Sequence, residues 1–374
     1  MVDTGDPAPR VPEALAALGW DAAWQDAWAA ASARHGWSPA LVPGRVAIEF
    51  NHLYRLQLGA GEVEAAIAGR LKHHASSRAE LPAVGDWVAV RPGEPGQLAS
   101  IRAVLPRRTC FSRKVAGEVT DEQVVAANVD VVFLVMALDA DFSVRRLERY
   151  LLLARESGAA PVVLLTKADV CDDLPARMAE VAVATGDVPV HVVNPRSGDG
   201  MAQVTPWLAP GRTAACLGSS GVGKSTLINR LAGIDRQRTS DVRESDSKGR
   251  HTTTHRELIV LPAGGLIIDT PGMRELQLWD AGDAVSEAFD DIEVLAGACR
   301  FTDCRHAGEP RCAVAEAVAD GRLARSRLES YQALQAELAH LGRQQDARLL
   351  LEEKRRSKVM GKALKSRLRD KGRT

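Results

Sequence analysis

An α/β domain, with a small β-barrel ahead of it and a cysteine-bearing helical module behind it, is the fold class that the sequence predicts. Three observations carry this. Short apolar runs at Pro161–Leu165, Val190–Val193, Ala214–Leu217 and Leu266–Ile268 have the length of buried strands, and Leu227–Ala232 has helical spacing, as in an open sheet covered by helices. Between Arg45 and Val104, period-two segments (Val46–Phe50, Tyr54–Leu58, Asp86–Val90, Leu98–Val104) are separated by Gly and Pro turns, the pattern of a small barrel. Of the six cysteines, three crowd with a histidine between residues 299 and 312.

In chain order, residues 12–36 carry Trp20, Trp24 and Trp28 at steps of four, which places three indoles along one side of a predicted helix. Packing against the next domain is the expected role, and an exposed stacking surface for RNA bases is the alternative. On the barrel, Arg70, Lys72, His73 and His74 either contact RNA or are solvated surface. Residues 105–125 read as a polar connector.

The stretch Gly218, Ser219, Ser220, Gly221, Val222, Gly223, Lys224, Ser225, Thr226 satisfies Gly-x4-Gly-Lys-Ser/Thr between an apolar run and a helical one, the context that a phosphate-binding loop requires. Gly218, Gly221 and Gly223 permit backbone conformations closed to residues with a Cβ, so that amides converge on a β-phosphate at a helix N-terminus. Lys224 then neutralises β/γ oxygens and Ser225 offers a hydroxyl to Mg2+. Downstream, Asp269-Thr270-Pro271-Gly272 ends an apolar run, where an Asp can hold Mg2+ through water and the Gly272 amide can sense a γ-phosphate. The polar segment Lys248–Thr254 between them suits a loop that orders on phosphate and metal, with Thr253 as the second metal hydroxyl.

Upstream of the phosphate loop, the run Pro161–Leu165 delivers Thr166, Lys167, Ala168 and Asp169 to a strand's C-terminal end, where ligands bind in open α/β sheets. A carboxylate there accepts both guanine N1–H and the exocyclic amine, and adenine would leave it unpaired. The usual first residue of this motif is Asn; Thr166 departs from it and is expected to lose an amide that steadies neighbouring loops, with guanine selectivity retained. Asn194–Gly198 follows the next strand, where a second base-contacting loop would stand, but its match is poor and no role follows for Asn194 or Pro195.

The order of these motifs, guanine reader before phosphate loop, together with Gly249–Thr254 and Asp269–Gly272, resembles the circularly permuted P-loop GTPases, specifically the ribosome small-subunit-dependent GTPase A (RsgA) family. Pro82–Val88, Ala126–Val135, Arg145–Leu151 and the cysteine cluster extend the resemblance over roughly residues 40 to 340. It implies a circularly permuted GTPase domain flanked by an oligonucleotide-binding (OB) type barrel and a zinc-binding helical module. The expected boundaries are 1–40 for an N-terminal helical extension, 41–106 for the barrel, 112–275 for the GTPase domain, 285–345 for the zinc module and 346–374 for a basic, disordered tail. It also implies a GTP phosphohydrolase that acts on the 30S ribosomal subunit and its rRNA in late assembly.

Cys299, Cys304, His306 and Cys312 form two close pairs of soft ligands joined by a loop with Gly308 and Pro310, suited to a tetrahedral Zn2+ with no open position and hence a structural one. A disulfide and a chance cluster are the competing readings; the resemblance places zinc ligands on these four positions. After Cys312, apolar residues at helical spacing (Leu323, Leu328, Tyr331, Leu334, Leu338, Leu341) predict one long helix or two.

The chain of 374 residues with 45% hydrophobic content supports two or three domains with a sizeable core. It shows no charged-then-apolar leader and no uninterrupted apolar stretch long enough to cross a bilayer, so a cytoplasmic protein without membrane attachment is expected; a monomer is expected separately, with nothing in the sequence fixing the oligomeric state. Zero formal net charge conceals a division: residues 354–374 hold ten Lys/Arg against Asp370 alone. A basic tail on an acidic body fits a phosphate-backbone partner, the alternative being a solvated tail without one.

In familiar small GTPases a Gln after Asp-x-x-Gly orients the attacking water. Here that residue is Met273, which makes slow unaided hydrolysis the expectation. His251 is the nearest candidate in sequence for positioning water, and the resemblance points the same way. A P-loop NTPase switch on another structured RNA, a P-loop ATPase, and an RNA-binding protein with a dead nucleotide fold are the alternatives.

Overall fold

The computed structural model describes residues 13–50, 53–94, 96–115, 121–233, 256–269, 285, 288–336 and 338–339, and the chain divides into two compact units, Met1–Gln277 and Leu278–Thr374. His251, Thr253, Gly272, Met273, Leu341 and the basic tail lie outside the described residues.

The first unit begins with α1 (Glu13–Ala16) and α2 (Ala22–His35). The single indole-bearing helix of the sequence reading is corrected here: the chain breaks at Gly19, φ +90°, where a Cβ would lie 2.5 Å from the Gly211 carbonyl and 2.7 Å from Arg45 Nη1. Asp21 then caps α2 by accepting the Trp24 amide at 2.9 Å, which leaves Trp20 ahead of the helix. The indoles still meet. Trp20 packs edge-on against Trp87 at 4.7 Å and lies 6.3 Å from Trp24, and both Trp20 and Trp24 are buried, so they are core and not a stacking surface.

Five strands close the barrel: β1 (Val42–Phe50), β2 (Leu53–Leu58), β3 (Gly61–Ile67), β4 (Trp87–Arg91) and β5 (Ala99–Val104), in the order β1-β2-β3-β5-β4 with β4 returning to β1. A short helix α3 (Gly69–His74) presents Arg70, Lys72, His73 and His74 to solvent. The expected connector is also corrected, because it contains a hairpin, β6 (Cys110–Val115) with β7 (Asp121–Ala127). Phe111 and the run Val124–Ala127 are buried while Arg113 meets Gln123 across the strands, so these strands combine a short apolar run with polar cross-strand pairing.

The second sheet region is built from β8 (Val131–Ala137), β9 (Ala160–Thr166), β10 (Val190–Val192), β11 (Thr213–Leu217), β12 (Arg256–Val260) and β13 (Leu266–Asp269). Its order is β10-β9-β8-β11-β13-β12; every pair is parallel except β12 with β13. Helices α4 (Val144–Ser157), α5 (Leu174–Thr185) and α6 (Lys224–Ala232) follow β8, β9 and β11. Phe133, Val135, Leu164, Ala214 and Ile267 make its buried core. β12 also pairs with β1 through Ile48 opposite Glu257, so barrel and α/β region share one sheet.

One buried cation fastens these parts. Arg45 donates through Nη1 to the Leu18 carbonyl, through Nη2 to Asn128 O at 3.2 Å and Thr213 Oγ1 at 2.8 Å, and through Nε to Gly85 O at 3.3 Å.

In the second unit, α7 (Asp290–Ala296) and α8 (Ala313–Ala319) are followed by a helix over residues 325–336. Of the apolar residues spaced after Cys312, Leu328, Tyr331 and Leu334 lie on this one helix and Leu323 precedes it, while α8 ends before Gly321, φ +79°. Phe289, Ile292, Val314, Ala317, Leu323, Leu328, Tyr331 and Leu334 are buried. Arg327 lies 4.6 Å over the Phe289 ring and binds Asp291 at 2.6 Å. Among the described residues no helix is long and apolar enough to cross a membrane.

Candidate functional site

Parallel strands align the ends of β9, β8 and β11 at one sheet edge. Thr166 ends β9 opposite Ala137 of β8, and Leu217 ends β11 opposite Leu134. The loop after β11 rises from this edge into α6 and is shaped by its glycines in two ways. Gly221 (φ +79°) and Gly223 (φ +100°) adopt left-handed backbone. Gly218 instead needs absent volume, since a Cβ there would sit 2.3 Å from the Val135 carbonyl. Lys224 Nζ folds back to donate to Gly218 O at 2.7 Å and Ser219 O at 2.5 Å. Ser220 and Ser225 are exposed, Ser219 and Thr226 half-buried, and Val222 is buried as the loop's anchor.

The Thr-Lys-Ala-Asp segment meets this loop. Thr166 Oγ1, buried, donates to Val222 O at 2.7 Å, so the tether expected to vanish without Asn is supplied by a hydroxyl. Lys167 occupies left-handed backbone at φ +59°, and its ammonium is held by Asp139, at 2.8 Å, from the end of β8. Lys167 holds the Asp139 carboxyl below its usual range. Ala168 and Asp169 lie in a single 3-10 turn, with the Asp169 carboxylate exposed.

Asp269 ends β13, directly beside β11. Burial pushes the Cys216 thiol up to about 12, with Asp269 adding to the rise and Lys224 opposing it. Both charges therefore act on the penultimate residue of β11, and Cys216 is a small, buried core residue. The loop after β10 is a compact turn in which Asn194 Oδ1 accepts the Arg196 and Ser197 amides at 3.0 and 3.3 Å. Its side chain is spent on that turn.

Sequence reading gave no role to Arg146 or Tyr150. In the structure, Arg146 Nη1 donates to Ser219 Oγ at 3.0 Å, and the Tyr150 hydroxyl lies 3.4 Å from the same atom. Nothing in the phosphate-loop motif marks them, because they stand on α4, far away in sequence.

In the second unit the four expected ligands converge. Sγ of Cys299, Cys304 and Cys312 and a His306 ring nitrogen all lie within 4.8 Å of one another. Cys299 Sγ is 3.9 Å from Cys312 Sγ and 3.7 Å from His306 Nδ1, which is 3.3 Å from Cys312 Sγ. A tetrahedron with Zn–S of about 2.3 Å has S···S edges of about 3.8 Å, so the donor set fits that ion. It does not fit a disulfide, whose sulfurs stand about 2.05 Å apart, and all three thiols are free. His306 and Arg311 both take φ +58° to turn the chain around the cluster, and Gln332 holds the His306 carbonyl at 2.9 Å.

Comparison with known proteins gives a consistent picture. A family model described as RsgA GTPase matches residues 104–279, and one described as 50S ribosome-binding GTPase matches residues 213–351. The small ribosomal subunit biogenesis GTPase RsgA of Opitutus terrae is 48% identical over 369 residues, covering 96% of this chain and 99% of that protein. RsgA 2 of Lactiplantibacillus plantarum is 46% identical, covering 80% and 84%. Among solved structures, YjeQ from Thermotoga maritima matches with a TM-score of 0.59 at 26% identity, over 80% of this chain and 99% of that one. YloQ, a circularly permuted GTPase, shares the fold at a TM-score of 0.56, with 82% and 98% covered.

Proposed function

The chain belongs to the RsgA family of small ribosomal subunit biogenesis GTPases, and from that membership we propose that it hydrolyses GTP to GDP and phosphate on the 30S ribosomal subunit, as a step in that particle's late maturation. The observation that carries the nucleotide reading is the 2.7 Å bond from Thr166 Oγ1 to Val222 O. It locks the segment bearing Asp169 onto the loop bearing Lys224, so one nucleotide can engage both. Asp169 reads guanine N1–H and the exocyclic amine, and Lys167 beside it is braced by Asp139. The loop amides and Lys224 take the phosphates, the ammonium exchanging its two carbonyl partners for phosphate oxygens.

Ser225, Asp269 and Thr253 are the residues that would hold Mg2+, which would supply positive charge to the phosphates. Gly272 would sense the γ-phosphate. With Met273 where an orienting Gln would stand, His251 is the residue that positions the attacking water when the subunit is bound. The exposed basic residues of α3 and the Lys/Arg-rich tail supply phosphate-backbone contacts to rRNA. Zn2+ on Cys299, Cys304, His306 and Cys312 is structural, and the protein acts as a cytoplasmic monomer.

The test is GTP turnover with purified 30S, with 50S, and alone. Turnover should rise by orders of magnitude with 30S only. Equal rates in all three, or stimulation by 50S alone, would contradict the assignment.

A further inference from the structure

We propose that Arg146 is a second phosphate-directed cation of the nucleotide site, supplied in cis by α4. The inference rests on the GTP reading above and extends it to a residue outside every motif of the site.

Two cations converge on Ser219, the second residue of the phosphate loop. Lys224 Nζ stands 2.5 Å from its carbonyl oxygen, and Arg146 Nη1 stands 3.0 Å from its hydroxyl. Lysine at this position works on β/γ oxygens, so a guanidinium on the same residue lies beside the charge that hydrolysis builds. The strand order explains how it arrives there: α4 leaves β8, the neighbour of β11, and Ser143 caps its first turn by accepting the Arg146 amide at 3.4 Å.

The guanidinium is held in readiness. Nη1 reaches Asp141 Oδ2 at 2.6 Å and Asp141 O at 3.0 Å, and Nη2 reaches Oδ1 at 3.2 Å. The partners are 32% and 55% exposed; exposed pairs of this kind hold weakly, so a multiply charged phosphate can draw the arginine away. A merely structural tether is already present, because the Tyr150 hydroxyl lies 3.4 Å from the same Ser219 Oγ. The arginine adds charge.

In hydrolysis the water oxygen bonds to the γ-phosphorus as the bond from that phosphorus to the bridging oxygen breaks. The electron pair stays on the bridging oxygen, now part of GDP, and a proton of the water passes to solvent. Negative charge gathers on the bridging and γ-oxygens, and a forked guanidinium can bind two of them at once. With Met273 in place of an orienting Gln, such a cation supplies part of the missing stabilisation from within the chain.

The experiment uses full-length protein carrying Arg146→Ala or Arg146→Lys, with melting temperatures confirming that each folds. Single-turnover GTP hydrolysis, GDP affinity and the affinity of GDP with aluminium fluoride are measured for each. Arg146→Ala should slow hydrolysis about tenfold or more and weaken the aluminium fluoride complex in step, with GDP affinity within about twofold of the wild type. Arg146→Lys should fall between the two, since it keeps the charge without the fork. Hydrolysis by Arg146→Ala within about twofold of the wild type would overturn the proposal. So would equal losses of affinity for GDP and for GDP with aluminium fluoride with hydrolysis at saturation unchanged, which is the signature of a tether. A wild type that binds no GTP would overturn the underlying reading and this proposal with it.

Discussion

The loop from Gly218 to Gly223 and the cluster from Cys299 to Cys312 are both short, but only the loop is seated on a sheet. Beneath it Leu134, Val135 and Leu217 are fully buried, and its shape comes from main-chain dihedrals at Gly221 and Gly223 and from the closeness of the Val135 carbonyl to Gly218. The cluster is drawn together by four side chains, with left-handed turns at His306 and Arg311 to aim them. One site inherits its geometry from a core; the other, on the proposed reading, takes from an ion what a small core cannot supply. The difference teaches that the two should fail by different routes.

Metal removal should produce the largest effect. A strong chelator, or Cys304→Ser, should abolish amide hydrogen-exchange protection in α7, α8 and residues 325–336, because structural zinc contributes on the order of 10 kcal/mol to such modules. GTP affinity should stay intact in the same sample. Protection that outlasts chelation would show that Phe289, Ile292 and Val314 suffice by themselves.

Gly223→Ala reverses the pattern. Forcing a Cβ into φ +100° costs about 1–3 kcal/mol, so calorimetric GTP affinity should drop by a factor of about 5 to 150 while the second unit keeps its protection. An unchanged affinity would mean that the loop takes another shape when it binds.

Thr166→Val sharpens the contrast further. It removes the hydroxyl that joins the two nucleotide loops and leaves the Val222 carbonyl without that donor, for about 1 kcal/mol. GTP affinity should fall about fivefold, and Thr166→Ser should restore it. Failure of serine to rescue would remove the hydroxyl from the account.

The smallest effect concerns acid. Lys167 holds the Asp139 carboxyl below its ordinary value of 3.8. A carboxylate lowered on folding contributes stability that is complete above the unfolded value and is lost as pH falls through the folded one. The difference in stability between wild type and Asp139→Asn should therefore be small and constant from neutral pH to about 4, then close in stronger acid. A difference that closes near neutrality would assign it to another group.

How far the sequence could be read follows the same division. The phosphate loop was legible because glycine spacing is a direct record of backbone need, and the Cys/His set because ligand chemistry fixes the residue types. Permuted order was legible too, since Thr166–Asp169 precedes Gly218 in the chain yet meets it at a sheet edge. What stayed hidden arises only in three dimensions. Trp20 continues a four-residue step, but Asp21 caps the helix one residue after it. The hairpin β6–β7 lacks strong alternation, and Thr166 does Asn's work through a hydroxyl whose acceptor is 56 residues away. Arg146 belongs to no local motif, and its closeness to Ser219 depends on β8 lying beside β11.

The nucleotide edge as a whole turns on Asp169 facing the same ligand as Lys224. Titrating wild type and Asp169→Asn with GTP and with xanthosine triphosphate tests this. An Asn amide can donate to the xanthine C2 carbonyl but loses the double acceptance of guanine, so the variant should lose GTP affinity and gain affinity for xanthosine triphosphate. Undiminished GTP binding by Asp169→Asn would contradict it.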